Sequence, residues 1–427
     1  MKLAYQYKLL PTYAQRCELT RWLDMARHQY NYLLAERFDW WTMNRCATNA
    51  CPLTCSIAEP KERPNYYTQK RSFVPLKKAR PWYKDLPCHT LQDVARRVDL
   101  AFSRFAKGDI KGKRSGKPRF KGKGRYRTLL FTQTKPEHIT SNQIMLPKMG
   151  AVKFICHRPM PDGFVPKRAL VTLKADGWYV TLMLEDRTVP AQVVDIKPTE
   201  NNSIGVDAGL EYFAAVSDGE LIHPPKFYRQ SEGNLTELQS KRDARTKGSK
   251  ARRKLNERVA RLHQKVARQR KQWHYEIAGK LLDKADVVFV EDLRIANMQR
   301  RNKPKQADDG SYLPNGQSAK SGLNKSFADA GIAGFLNEIL PYKAAKAGKR
   351  VVKVNPAGTS QHCARCLLAV PKLLSDRWHD CPHCGFSVQR DYNSALLIKQ
   401  VGLGIASLKN AKSRQSRDGE ARALCTA

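Results

Sequence analysis

Two Cys-x-x-Cys pairs, Cys363-Ala-Arg-Cys366 and Cys381-Pro-His-Cys384, stand 14 residues apart in this 427-residue chain. Four thiolates at that spacing suit one tetrahedral Zn²⁺. A redox pair would need one such motif, not two. The spacing predicts a structural zinc ribbon, with Gly385 placed for the tight turn of the second knuckle. His362, His379 and His383 lie close by, but four thiolates already fill a tetrahedral site. They read as surface or supporting residues. Cys46, Cys51 and Cys55, with Cys88 downstream, fit no metal spacing and read as free thiols. Metal-binding cysteines point to a reducing compartment. The chain shows neither a secretory leader pattern nor a long apolar run, so a cytoplasmic protein without membrane contact is expected.

Charge narrows the partners. Lys plus Arg number 77 against 39 Asp plus Glu, a formal net charge of +38. So much like charge repels itself unless a polyanion neutralises it. Nucleic acid does so, because each phosphate contact releases counterions.

The hydrophobic pattern divides the chain. Residues 1–10 alternate as a strand, and 13–41 carry a helical stripe of Leu19, Trp22, Leu23, Ala26, Tyr30, Leu33 and Leu34. Residues 68–107 read as helical, cut into pieces early on by Pro75, Pro81 and Pro87. A basic, Gly-rich stretch from Lys111 follows, then short strands to about Leu184 that suggest a small antiparallel barrel, to which the first strand can belong. Beyond a linker at 191–202 the pattern is mixed α/β: a strand at Ser203–Asp207, a hairpin, one long basic helix over 235–283, and a strand at Asp286–Glu291. A polar, mobile stretch at 298–322, a helix at Phe327–Ala347, a strand at Arg350–Asn355 and a helix from Arg390 complete it. The basic end, 403–427, reads as disordered.

Three acids sit where elements end or begin. Asp207 closes the strand Ile204-Gly-Val-Asp, Glu291 closes Val287-Val-Phe-Val-Glu, and Asp391 opens the helix after the cysteines. Carboxylates at neighbouring strand ends and at a helix start can converge on one point. Hard oxygen ligands of this kind hold Mg²⁺, and two such ions can activate water against a phosphodiester. This order of elements and acids is the RNase H-like layout.

These features together resemble the TnpB family of transposon-encoded RNA-guided DNA nucleases, relatives of the small type V CRISPR effectors. The pieces that carry the resemblance are Gly116-Lys-Pro-Arg-Phe-Lys121, Ile204-Gly-Val-Asp-Ala-Gly-Leu210, Val290-Glu-Asp-Leu293, the run from Asn355 to Cys366, Cys381-Pro-His-Cys384-Gly, and Arg390-Asp-Tyr-Asn-Ser-Ala395. The resemblance implies a multidomain α+β chain. A wedge-type oligonucleotide-binding β-barrel (1–12 and 108–190) would hold an inserted helical recognition domain (13–107). A RuvC-type nuclease domain (203–355 and 386–402) would hold an inserted zinc ribbon (356–385). It implies that Asp207, Glu291 and Asp391 are catalytic and bind a two-ion Mg²⁺ site, and that Cys363, Cys366, Cys381 and Cys384 bind structural Zn²⁺. Two departures stand out: Leu367 replaces the usual Gly after the second zinc cysteine, and Gln389 stands two residues before Asp391 where Asp is frequent.

The resemblance also implies a guide RNA and a double-stranded DNA target as partners of a monomer, with cutting beside a short flanking motif. Lys117, Arg119 and Lys121 suit a phosphate backbone, and Phe120 a base stack. Arg253 and Arg261 on the basic helix suit a heteroduplex, and Gln92 a base edge. The rivals are an RNA-guided repressor that does not cut and a guide-independent transposase. The first predicts loss of an acid, and all three are present.

Overall fold

The computed structural model describes residues 2–45, 62–109, 112–188, 195–373 and 375–408. Cys46, Cys51 and Cys55, the start of the expected linker and the tail from 409 lie outside them. The chain divides into two compact units, Met1–Ala191 and Gln192–Ala427.

The first unit starts with β1 (Lys2–Leu10), which turns Leu3, Tyr5, Tyr7 and Leu9 inward as its alternation demands. Pro11 ends it. Thr12 and Gln15 then exchange side-chain hydrogen bonds with each other's backbone N–H, a capping box that starts α1 (Tyr13–Arg45). The whole expected stripe of α1, from Leu19 to Leu34, is buried. Prolines break the next segment into α2 (Tyr66–Arg71), α3 (Phe73–Ala79) and a 3-10 turn at Pro81–Lys84. Pro87 then precedes α4 (Cys88–Ala106).

Five more strands follow: β2 (Thr128–Phe131), β3 (Gln143–Leu146), β4 (Gly150–Ile155), β5 (Val165–Lys174) and β6 (Gly177–Glu185). With β1 they form an antiparallel sheet in the order β2-β5-β6-β1-β4-β3. The first strand thus joins the later ones, as its pattern suggested. The expected barrel is an open sheet, with β2 and β3 as edges that do not pair among the described residues. Trp22 and Leu91 of the helices share one core with Tyr7, Leu129 and Val180 of the sheet.

The second unit is built on β7 (Ser203–Asp207), β8 (Ala214–Val216) and β9 (Leu221–Ile222). The single helix expected over 235–283 is two, α5 (Phe227–Asp243) and α6 (Lys250–Lys284). Gly248 takes φ +89° between them, and the Ser249 side chain accepts the Arg252 N–H to start α6. The Arg252 guanidinium closes the break by donating to the Arg242 and Arg245 carbonyls. Next come β10 (Val287–Glu291), the single turn α7 (Ile295–Met298) and a small hairpin of β11 (Lys305–Gln306) and β12 (Tyr312–Leu313). α8 (Gln317–Ala330) follows, so the polar stretch 298–322 holds ordered elements where only loop was expected. A π-helical turn at Phe335–Ile339 separates α9 (Ile332–Gly334) from α10 (Leu340–Lys346). The unit closes with β13 (Arg350–Val354), β14 (Trp378–Asp380), β15 (Ser387–Gln389) and α11 (Arg390–Gly402).

The main sheet runs β13-β10-β7-β8-β9. Its first three strands are parallel; β8 pairs antiparallel with β7, and β9 antiparallel with β8. Helix α11 lies on this sheet with no room to spare. A Cβ at Gly205 of β7 would fall 2.1 Å from the Ala395 carbonyl oxygen and 2.6 Å from the Lys399 nitrogen. A Cβ at Gly402, the last residue of α11, would fall 2.2 Å from the Phe289 ring of β10. The missing side chain on the strand lets backbone meet backbone, and the one on the helix makes room for the Phe289 ring.

Gly205→Ala is therefore expected to destabilise the second unit by at least about 1–3 kcal/mol, the usual cost of overpacking. Denaturant unfolding followed by circular dichroism reads this directly. An unchanged midpoint would mean that α11 can move outward freely.

Candidate active site and cysteine cluster

Strand register brings the first two acids together. Val206 of β7 pairs with Val290 of β10 in parallel, so Asp207 and Glu291 come next on adjacent strands at one end of the sheet. Asp391 lies in the first turn of α11, the helix pressed on β7 at Gly205. Glu291 and Asp391 both act electrostatically on Asp207. Asp207 is pushed well above the usual carboxylate range, first by burial and then by the charges of Glu291 and Asp391, while Arg390 pulls it back. Burial also raises Glu291, against a hydrogen bond donated by the Thr359 hydroxyl. Arg390 donates to Asp391 Oδ1 from Nε at 3.1 Å, and its Nη1 reaches the Asp376 carbonyl at 2.9 Å.

The four cysteines also meet. Their sulfur atoms all lie within 4.8 Å of one another. Cys363 and Cys384 are 3.6 Å apart, as are Cys366 and Cys381. Tetrahedral thiolates at about 2.3 Å from Zn²⁺ would stand about 3.8 Å apart, so the donor set fits that ion. The neighbouring thiols shift one another in opposite directions. Burial pushes the Cys363 thiol up to about 12. At Cys381 burial acts the same way, but the N–H groups of His383 and Cys384 outweigh it and bring the thiol down to about 6. The three nearby histidines stay out of the cluster. His379 is fully buried against Phe386, and burial holds it down to about 4, in the neutral form. Among the described residues the four cysteines form such a group of possible metal ligands, and the three carboxylates do not.

Asn393 joins the two constellations. Fully buried on α11, it accepts the Ala364 N–H at 2.9 Å and donates to the His362 carbonyl at 2.8 Å. Gln400, two turns on, donates to the Ala364 carbonyl at 2.8 Å. The first knuckle is thus fastened to the helix that carries Asp391. Both knuckles use the same tight turn, Leu367 N–H to Cys363 O at 2.9 Å and Gly385 N–H to Cys381 O at 3.0 Å. Gly385 takes φ +66° without penalty; Leu367 takes φ +60° and bears the strain of its Cβ.

The residues expected on nucleic acid are dispersed. Lys117 and Arg119 are exposed on the Gly-rich loop. That loop is fastened to α1 by paired bonds between the Asn31 amide and the Lys121 backbone, at 2.7 and 3.0 Å. Phe120 sets its edge against Phe38 yet remains 55% exposed. Lys117 Nζ sits 4.5 Å above the Phe38 ring, and Lys121 Nζ 5.6 Å from Tyr30. Gln92 lines a cleft of about 210 Å³ with Tyr66, His89, Arg96, Thr132 and Arg168. Arg253 and Arg261 are exposed on α6, and Arg261 pairs loosely with Glu257 at 3.9 Å. No helix among the described residues is long and apolar enough to cross a membrane.

Sequence comparison sets these features in context. A family model described as OrfB_IS605, a probable transposase, matches residues 187–302. A Cas12f1-like TNB domain model matches 334–398, and a helix-turn-helix model matches 1–46. The chain carries OrfB_IS605/TnpB family domains. The segment under the helix-turn-helix model folds as β1 and the single helix α1. InsQ of Escherichia coli, named as a candidate RNA-guided DNA endonuclease, is 27% identical over 93% of this chain and 92% of its own. A protein of Streptomyces pristinaespiralis with the same designation is 26% identical over 95% of this chain and 91% of its own. A solved Cas12f1–sgRNA–target DNA complex aligns with 94% of this chain and 100% of that one, at 16% identity and a TM-score of 0.32, too slight a likeness to bear on the fold.

Sequence reasoning passed over Thr359, Asn393 as a fastener, and Gly402. Asn393 was visible as part of a motif, but its partners His362 and Ala364 are backbone groups that no sequence pattern marks.

Two outcomes follow from this geometry. Leu367→Gly is expected to stabilise the chain by up to about 1 kcal/mol, the order of the left-handed penalty it relieves. A thermal melt of the zinc-loaded variant checks it; a lowered midpoint would show that the Leu367 side chain contributes more by packing. The second concerns pH. Raised carboxylate values add stability below the ordinary range near 4, and that stability is lost as pH rises through the folded-state values. In chelator for Mg²⁺, Asp207→Asn should therefore stabilise the chain at about pH 8 and not at about pH 4. Equal midpoint shifts at both would refute the crowding.

Proposed function

We propose that this chain is an RNA-guided, Mg²⁺-dependent DNA endonuclease with one RuvC-type site formed by Asp207, Glu291 and Asp391. The observation that carries the proposal is the place of those acids in a very basic chain: Asp207 and Glu291 follow paired residues on adjacent parallel strands, and Glu291 and Asp391 both push on the buried Asp207. The names of its full-length relatives support the RNA-guided part. A chain whose basic residues exceed its acids by 38 is suited to a guide RNA and a DNA target.

The oxygen donors, in a half-buried setting that raises Asp207 and Glu291, fit hard divalent cations. When bound, Mg²⁺ supplies an activated water and neutralises charge on the scissile phosphate. The chain's own part is to bring three carboxylates to one sheet end, where burial and mutual repulsion favour a bound cation. Arg390 orients Asp391 and offsets part of the local negative charge. The cysteines hold Zn²⁺, which fixes the knuckles that Asn393 grips.

In this reading the open sheet of the first unit is the oligonucleotide-binding platform and α1–α4 are the recognition helices. The cleft at Gln92 reads bases of the flanking duplex motif, with amide and hydroxyl groups for base edges and Arg96 and Arg168 for phosphates. Lys117, Arg119, Phe120 and Lys121 engage a backbone and a base, and Arg253 and Arg261 the heteroduplex. One protein acts with one RNA.

The test uses protein purified with its RNA, and a duplex that matches the guide. Cleavage is expected with Mg²⁺ and absent in chelator. Asp207→Asn, Glu291→Gln and Asp391→Asn should each lower the rate by at least about 100-fold, the larger cost of disturbing a metal's supports, with target binding kept. Binding without cleavage by the parent protein would favour a guided repressor. Cleavage that survives RNase treatment would favour a guide-independent enzyme.

A further inference from the structure

Thr359 is 1% exposed, yet it is polar and lies in the loop between β13 and the first knuckle. Its hydroxyl donates to Glu291 Oε1. The other oxygen near it is the Pro356 carbonyl at 3.0 Å, in the same loop. One hydroxyl proton serves one acceptor at a time, and a charged carboxylate is the stronger of the two. The loop itself is shaped locally: the Asn355 side chain accepts the Ala357 N–H at 3.0 Å. His362 Nδ1 lies 2.8 Å from the Gly358 carbonyl. These bonds fix the backbone on both sides of Thr359, so its hydroxyl has a set direction.

We propose that Thr359 is a positioning residue that holds the Glu291 carboxylate in its metal-binding rotamer. This rests on the reading of Glu291 as a metal ligand. A glutamate has three side-chain torsions, and β10 fixes only where its Cα stands. Asp207 and Asp391 are shorter, and Arg390 already orients Asp391. Among the described residues, Thr359 is the side chain recorded as donating to Glu291. The same residue belongs to the loop that leads into Cys363, so the knuckle and the carboxylate share one support.

The test compares Thr359→Val, which keeps the shape and removes the donor, with Thr359→Ser, which keeps the donor. Both are studied as the protein–RNA complex. In Mg²⁺, Val should cut about 10–100-fold more slowly, the range found for partners of metal ligands, and Ser within a few-fold of the parent. A second readout is independent of DNA cutting. Fe²⁺ with peroxide, in place of Mg²⁺, cleaves protein backbone near its binding site; scission near residues 207 and 291 should weaken in Val and persist in Ser. Zinc content and melting midpoint should match the parent in Ser. If Val cuts and is scissioned like the parent, the positioning role is wrong. If Val and Ser lose both signals and their zinc together, Thr359 is structural and the proposal also falls. Glu291→Gln separates the two claims: if it cuts like the parent, the site assignment itself is wrong, whatever Thr359 does.

Discussion

The contact between Gly205 and α11 governs the site. Asp207 and Glu291 need no tertiary packing to meet, because parallel pairing of β7 and β10 places them together. Asp391 comes from nearly 100 residues later, and only the seating of α11 on the sheet brings it in. With Cβ positions 2.1 Å from Ala395 O at Gly205 and 2.2 Å from Phe289 at Gly402, the helix is held at two points along its length. Two contacts fix both distance and tilt. A helix that could rock by an ångström would not keep a carboxylate in its first turn at a constant place.

The cysteine cluster adds a third restraint, at the other face of α11. Asn393 and Gln400 bind the backbone of Ala364 from positions two turns apart. The amide of Asn393 is the more telling, since it uses both its donor and its acceptor on one knuckle and is wholly buried. Losing either bond would leave a buried polar group unpaired, at about 1–3 kcal/mol. The tetrahedral geometry of the thiols therefore reaches Asp391 through an amide rather than through the covalent chain alone.

Much of this was legible in the sequence, and the failures have physical causes. Periodicity located α1, β1, β10 and α11, because each buries one regular face. The cysteine spacing was legible because four converging thiols need fixed residue types, and the three acids stood out by their places at element ends. The single helix expected over 235–283 failed because its apolar stripe, Leu255 to Leu281, lies wholly in α6, while the basic residues continue without interruption across the break at Gly248. Strands β14 and β15 are three residues each, too short for any alternation to show. Whether the sheet closes into a barrel depends on edge pairing, which no single strand's pattern records; among the described residues β2 and β3 do not pair. Thr359 escaped notice because a buried threonine looks like any β-branched core residue until its partner is known.

The acids also show how local the relevant electrostatics are. A chain of net charge +38 might be expected to favour every carboxylate in its ionised form. Asp207 moves the other way. At an ionic strength of about 0.15 M, exposed charges beyond about 8 Å are largely screened, so the distant lysines and arginines count for little. Burial and two neighbouring carboxylates are near and poorly screened, and they outweigh Arg390 as the opposing cation. The basic surface can attract a polyanion over a long range while this one sheet end remains negative and in want of a cation. A nuclease needs that opposition: a positive exterior that brings the phosphate chain in, and an acidic centre too crowded to be comfortable without metal.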